Sequence, residues 1–277
     1  MTAQTIDTGT QDLKSSLEGG VLTLTMNRPE ARNALSGEMI SALASQLAWA
    51  ELETSVKCIL LTGAGKGFCA GGDVKGMASR NADGGGEPQT TIDAGIHRQR
   101  VQQRAVSGKL FKMAKPTIAA LPGPAAGAGL GIALACDLRI MASTALMTTA
   151  FAKVGFSGDY GASYFLTQMV GSGKARELFY LSERVSAEEA LRLGLTNWVV
   201  EPDELMPKAC ELAARLAAGA TVAFGYMKEN LNRAMLAEVD ECLDMEATHQ
   251  IHTGQTADHK EAAKAFVEKR EPVFRGR

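Results

Sequence analysis

Gly67-Phe68-Cys69-Ala70-Gly71-Gly72-Asp73 follows the apolar run Lys57-Cys58-Ile59-Leu60-Leu61-Thr62. A second stretch of the same kind, Gly123-Pro124-Ala125-Ala126-Gly127-Ala128-Gly129-Leu130-Gly131, follows Thr117-Ile118-Ala119-Ala120-Leu121. Each apolar run reads as a buried strand, and each following stretch is a loop of residues with almost no side chain. Such loops leave backbone N–H groups open to a ligand that must approach closely. Two N–H donors converging on one point can hold a carbonyl oxygen as it becomes an enolate.

Strand and helix patterns alternate on either side of these loops. Val21 to Met26 alternates as a strand does, and Gly37 to Glu53 has helical spacing through Met39, Ile40, Leu43, Leu47 and Trp49. Residues 92–113 read as one helix, residues 128–135 as a short helix and Asp137 to Ala142 as a strand. This order predicts an α/β fold with parallel strands and right-handed crossovers. Asn81 to Pro88 is glycine-rich and reads as a flexible loop at the mouth of a site. Beyond Glu201 the pattern is almost entirely helical.

A chain of 277 residues with 45% hydrophobic residues can bury a large core. A net charge of -2 gives no electrostatic reason to expect a nucleic acid partner. Cys58, Cys69, Cys136, Cys210 and Cys242 are scattered, without metal-ligand spacing, and read as reduced packing thiols; no metal site is expected. Met1 to Ser15 is polar and lacks the apolar core of a signal peptide, so a cytoplasmic location is expected. Pro116 to Cys136 carries no charge, but its prolines and glycines divide it into strand, loop and helix, and no membrane span is expected.

The two loops resemble those of the crotonase (enoyl-CoA hydratase/isomerase) superfamily. The resemblance runs from about Gly20 to the C-terminus and includes Asn27-Arg28-Pro29-Glu30-Ala31-Arg32-Asn33-Ala34-Leu35, Ala135-Cys136-Asp137-Leu138-Arg139 and Ser186-Ala187-Glu188-Glu189-Ala190. It implies a spiral of repeated ββα units over residues 1–200 and a C-terminal helical trimerisation region over 201–277, assembled as a homotrimer or a dimer of trimers. It implies an acyl-CoA thioester substrate, CoA being part of the substrate and no further cofactor being required. The N–H groups of Gly72 and Ala128 would stabilise the enolate, with Ala31, Ala70, Gly71 and Asp73 along the CoA moiety.

The superfamily's hydratases hold water between two glutamates. Counting from Asp137, their positions fall on Gly131 and Phe151 here, and neither can accept a proton. Asp159 stands in a small-residue turn before a helix, where members of the superfamily that include aromatic-pathway and enoyl-CoA isomerases, a naphthoate synthase and a chlorobenzoyl-CoA dehalogenase carry an aspartate. It reads either as a helix N-cap or as the acid/base. One carboxylate suffices to move a proton along an acyl chain, and Phe151 would supply an apolar wall that raises its basicity. Isomerisation is therefore the leading expectation, with enoyl-CoA hydration and catalytically weak acyl-CoA binding as alternatives. The dehalogenase-type members' histidine has no counterpart in Ala105-Val106-Ser107-Gly108. His97, His249, His252 and His259 read as solvated, Tyr160 and Tyr164 as able to hydrogen-bond an aromatic or polar acyl group, with aromatic packing the first reading for Tyr164, and Lys264, Lys269 and Arg270 as solvated charges within reach of CoA phosphates.

Overall fold

A computed structural model describes residues 3–73 and 91–277, so the Asn81–Pro88 loop lies outside the described residues. Seven strands form the main sheet: β1 (Gln4–Ile6), β2 (Leu13–Glu18), β3 (Val21–Met26), β4 (Cys58–Gly63), β5 (Thr117–Leu121), β7 (Leu138–Ala142) and β10 (Trp198–Val200), in that order across it. β3, β4, β5, β7 and β10 run parallel, as the strand–helix alternation predicts, while β1 and β2 add an antiparallel edge. The centre of the sheet is buried throughout: all six residues of β4 and all five of β5 are shielded from solvent. These are near-continuous apolar runs, the pattern of parallel strands covered on both faces.

Helix α1 (Gly37–Leu52) starts at Ser36, whose hydroxyl accepts from Met39 N, and buries Met39, Leu43, Leu47 and Ala50 along one stripe. The stretch 92–113, read as one helix, is two: α2 (Ile92–Ala105) and α3 (Ser107–Lys112). Val106, at φ −107° and ψ −84°, breaks it. No glycine or proline marks the break; Val106 is fully buried and fixed by packing.

The second loop leads into α4 (Ala128–Ala135), every residue of which is buried. A small second sheet joins β6 (Ala125–Ala126), β8 (Leu146–Thr148) and β9 (Val185–Ser186). Helices α5 (Ala162–Leu181), kinked at Gly171, and α6 (Ala187–Arg192) complete the first two hundred residues. Helix α7 (Leu205–Ala217) then lies against β3, β4, β5 and β7 through Leu205, Ala209, Ala213 and Ala217, so a covering layer of the sheet comes from beyond residue 200. Helices α8 (Thr221–Ala234), α9 (Val239–Gly254) and α10 (Ala257–Glu268) follow. Lys228 on α8 pins this region to the core: its buried ammonium donates to Leu110 O at 2.7 Å and pairs with Asp137 at 2.9 Å. No helix among the described residues is long and apolar enough to cross a membrane.

Candidate active site

Three chain segments build the first wall. Asn33, buried and at φ +56°, donates from Nδ2 to Ala64 O (3.0 Å) and Gly67 O (2.8 Å), while its Oδ1 accepts from Arg28 N (2.9 Å). One side chain thus binds the 28–34 turn to the loop after β4. Arg28 then reaches Asp73 at 3.3 Å and donates to Ala34 O at 2.8 Å. Arg28 and Asn33 lie in the motif that follows β3, but their bracing role depends on pairings between distant residues. A cavity of about 500 Å³ opens along this wall, lined by Glu30, Ala31, Arg32, Ala70, Gly72 and Asp73. It brings together Ala31, Ala70 and Asp73 of the expected substrate-binding set with Gly72, one of the two expected N–H donors.

Gly71 turns the loop with φ +91°, a conformation favoured only by glycine. A Cβ added there would lie 2.8 Å from Ala126 O and 3.3 Å from Ala128 N, so the two loops meet at this point. Leu35 N donates to Gly71 O at 2.8 Å and fixes the orientation of the peptide that carries the Gly72 N–H. Ala128 opens α4, so its N–H has no acceptor within the helix. The N-terminal end of α4 also carries partial positive charge, which favours an electron-rich oxygen.

The second wall is the turn before α5. Asp159 does not cap that helix: Gly161 holds the cap position, without a side-chain hydrogen bond. Asp159 Oδ1 is buried and has no hydrogen-bond partner among the described residues. Burial alone pushes its carboxyl up from 3.8 to about 6. The turn rests on α4 at Gly131, where an added Cβ would lie 2.9 Å from Tyr160 O and 3.1 Å from Asp159 O. Phe151 is 5% exposed and stacks on Phe179 with ring centroids 5.7 Å apart. Its Cε1 lies 3.6 Å from a Cβ added at Gly127, and Phe179 in turn abuts Gly158. Gly71, Ala128, Phe151 and Asp159 are therefore arranged around one short helix.

Cys69 lies beneath the loops, buried, its thiol pushed up to about 12 chiefly by burial, and so is no nucleophile at neutral pH. Tyr164 packs edge-on against Phe111 and Phe165. Arg270 is engaged by Glu261 and Glu268, and Lys264 by Glu268. His97 is exposed. His249, expected on a solvated face, is instead buried beside Tyr226, with Nδ1 2.5 Å from Asn230 Oδ1. The helical pattern of the tail did not reveal that α8 covers this face of α9.

The family model described as enoyl-CoA hydratase/isomerase matches residues 16–277. The 1,2-epoxyphenylacetyl-CoA isomerase of Escherichia coli K12 is 39% identical over 95% of this chain and 98% of its own. The short-chain-enoyl-CoA hydratase of Clostridium acetobutylicum is 37% identical over 91% of this chain and 93% of its own. The crystal structure of an enoyl-CoA hydratase from Polaromonas sp. JS666 superposes with a TM-score of 0.87 at 32% identity, covering 95% of this chain and 99% of that one. With nearly its whole length matched in sequence and in fold, the chain belongs to the enoyl-CoA hydratase/isomerase family.

Proposed function

We propose that the protein isomerises an unsaturated acyl-CoA thioester through its enolate, with Asp159 as the sole acid/base. The observation that carries this reading is the state of Asp159: a carboxyl with a buried, unpartnered oxygen, raised to about 6. A base of that strength is mostly ionised at neutral pH yet binds a proton readily, which suits transfer in both directions. The CoA moiety lies along Ala31, Ala70 and Asp73, and the thioester carbonyl oxygen accepts from the N–H groups of Gly72 and Ala128. Asp159 removes a proton from one acyl carbon. The electron pair moves onto the carbonyl oxygen, and the enolate is held by the two N–H groups. The same carboxyl returns the proton to the carbon two bonds away, the double bond shifts, and no mass is gained or lost.

Phe151 and Phe179 support isomerisation over hydration, because a stacked aromatic pair stands where a water-holding carboxylate would be needed. The E. coli relative is named a 1,2-epoxyphenylacetyl-CoA isomerase, a reaction at constant mass although on an epoxide; the Clostridium relative named a hydratase represents the alternative. Phe266 and Val267 point outward from α10, 85% and 81% exposed, and supply an apolar surface for assembly as a trimer or dimer of trimers. The deciding experiment incubates the protein with unsaturated acyl-CoA thioesters and follows mass and ultraviolet spectrum. A shifted double bond at constant mass is expected. A product heavier by one water would overturn the assignment.

A further inference from the structure

Among the described residues only two buried side-chain oxygens lack a hydrogen-bond partner, Asp159 Oδ1 and the Tyr160 hydroxyl. The proposed chemistry uses the first and leaves the second unexplained. Tyr160 is 2% exposed, and a buried phenol ordinarily finds a partner for its O–H. Its backbone sits at φ +47°, in the left-handed region that bulky residues rarely enter. The N–H donates to Gln103 Oε1 at 2.8 Å, tying the turn to α2. The Tyr160 Cβ lies 3.1 Å from the position of a Cβ at Gly131, so the side chain springs from the surface of α4. A strained backbone therefore holds an orphaned donor beside the acid/base, where strain tends to mark function.

The chemistry of the hydroxyl fixes what it can bind. Burial, together with the neighbouring Asp159 charge, raises the phenol well above its ordinary value, so the proton stays on and the group is a donor. Asp159 does not accept from it, although the carboxyl is close enough for its charge to act on the phenol. Cys69, the other titratable group beside the phenol, is a protonated thiol and a weak acceptor. Among the described residues, none supplies the missing acceptor.

We propose that Tyr160 is a specificity residue whose hydroxyl donates to an oxygen carried on the acyl group, close to the carbons between which Asp159 moves its proton. This inference rests on the acyl-CoA reading above and narrows it to acyl groups bearing a hydroxyl, ketone or ether oxygen. A plain hydrocarbon chain would enter the same site and leave the donor unmatched, and a site built around a hydrogen bond discriminates against ligands that lack it.

The test is binding, so it does not depend on turnover. Affinities for butanoyl-CoA and 3-hydroxybutanoyl-CoA are measured by calorimetry with the unaltered protein and with Tyr160→Phe, which removes only the orphaned oxygen. The unaltered protein should prefer the hydroxylated ligand by about 3–10-fold, the range of one neutral hydrogen bond. Tyr160→Phe should abolish that preference while leaving butanoyl-CoA binding unchanged. Asp159→Asn should retain the preference even if it loses turnover, which separates this inference from the acid/base assignment. Equal affinities in the unaltered protein, or an equal loss for both ligands in Tyr160→Phe, would overturn it and make Tyr160 a packing residue. Binding of neither ligand would refute the acyl-CoA reading and this inference with it.

Discussion

Asp159→Asn should slow turnover and gain stability relative to the unaltered protein as pH rises, and both effects have one cause. Moving the carboxyl from 3.8 to about 6 makes ionisation in the folded chain harder by at most ~3 kcal/mol. Solvent reaching this half-buried side chain lowers that figure to about 1–2 kcal/mol. The folded-state value lies above the unfolded one, so the folded chain holds the proton more tightly. The stability this contributes is complete below about pH 3.8 and is lost as pH rises through about 6. Asparagine has no such dependence. Its own amide is poorly matched at this site, but equally so at every pH. The variant's stability relative to the unaltered protein should therefore rise by about 1–2 kcal/mol between pH 4 and pH 8. Denaturant melts across that range measure the difference directly. Turnover should fall by about 10²–10⁴-fold, the usual contribution of a positioned acid/base. In the unaltered protein kcat/KM should climb through about pH 6 and level off above it. A pH-independent stability difference would show that the carboxyl is not raised by burial; near-normal turnover would remove Asp159 from the mechanism.

Three further substitutions probe the frame around it. Gly72→Pro removes one N–H from the proposed enolate site and should cost about 10²–10³ in rate; full activity in a folded variant would exclude that amide. Gly131→Ala gains about 1 kcal/mol of helix propensity, but its Cβ meets backbone oxygens at 2.9 and 3.1 Å. The net effect should be a loss of about 1–2 kcal/mol in denaturant melts, with slower turnover as the Asp159 turn is displaced. Lys228→Met leaves Asp137 with the Thr117 donors alone. Since Asp137 is partly exposed, the loss should be about 2–3 kcal/mol rather than the larger cost of a fully stranded charge, and an unchanged midpoint would show that α8 is not anchored there.

The central strands were legible in the sequence because a parallel strand covered on both faces must be apolar along its whole length, as Cys58–Leu61 and Ile118–Leu121 are. Helix α1 was legible through its stripe and its Ser36 cap. The antiparallel edge was not, since the exposed Gln4–Ile6 strand has no apolar pattern to reveal it. Nor was the second sheet, whose strands of two and three residues are too short to show a period. The break at Val106 follows from burial, not from any local breaker. At the site, the small residues of both loops announced close approach. The sequence left Asp159 as either cap or acid/base, and the cap at Gly161 with the bare Oδ1 decides against the cap. The Arg28–Asp73 pair and the orphaned Tyr160 hydroxyl are relations in space that no local pattern encodes.

Gly131 and the Asp159 turn have a bearing on how one fold could divide two reactions. Helix α4 can carry a side chain at residue 131 only if the 159–160 backbone stands away from it. Here that backbone lies against the helix, and Gly131 is what permits the approach. On this geometry a carboxylate can come from the helix or from the turn, but the two compete for one space. Phe151, at the position where the family resemblance expects the other hydratase glutamate, is an aromatic ring already stacked on Phe179. Restoring both glutamates as Gly131→Glu with Phe151→Glu should therefore not restore hydration: the first must displace a turn, and the second buries a charge among aromatic rings. The double variant should lose several kcal/mol of stability and add no water to crotonyl-CoA, as read by product mass. If it folds normally and hydrates crotonyl-CoA at a substantial rate, the turn and the helix do not exclude one another, and the preference for isomerisation must arise elsewhere in the site.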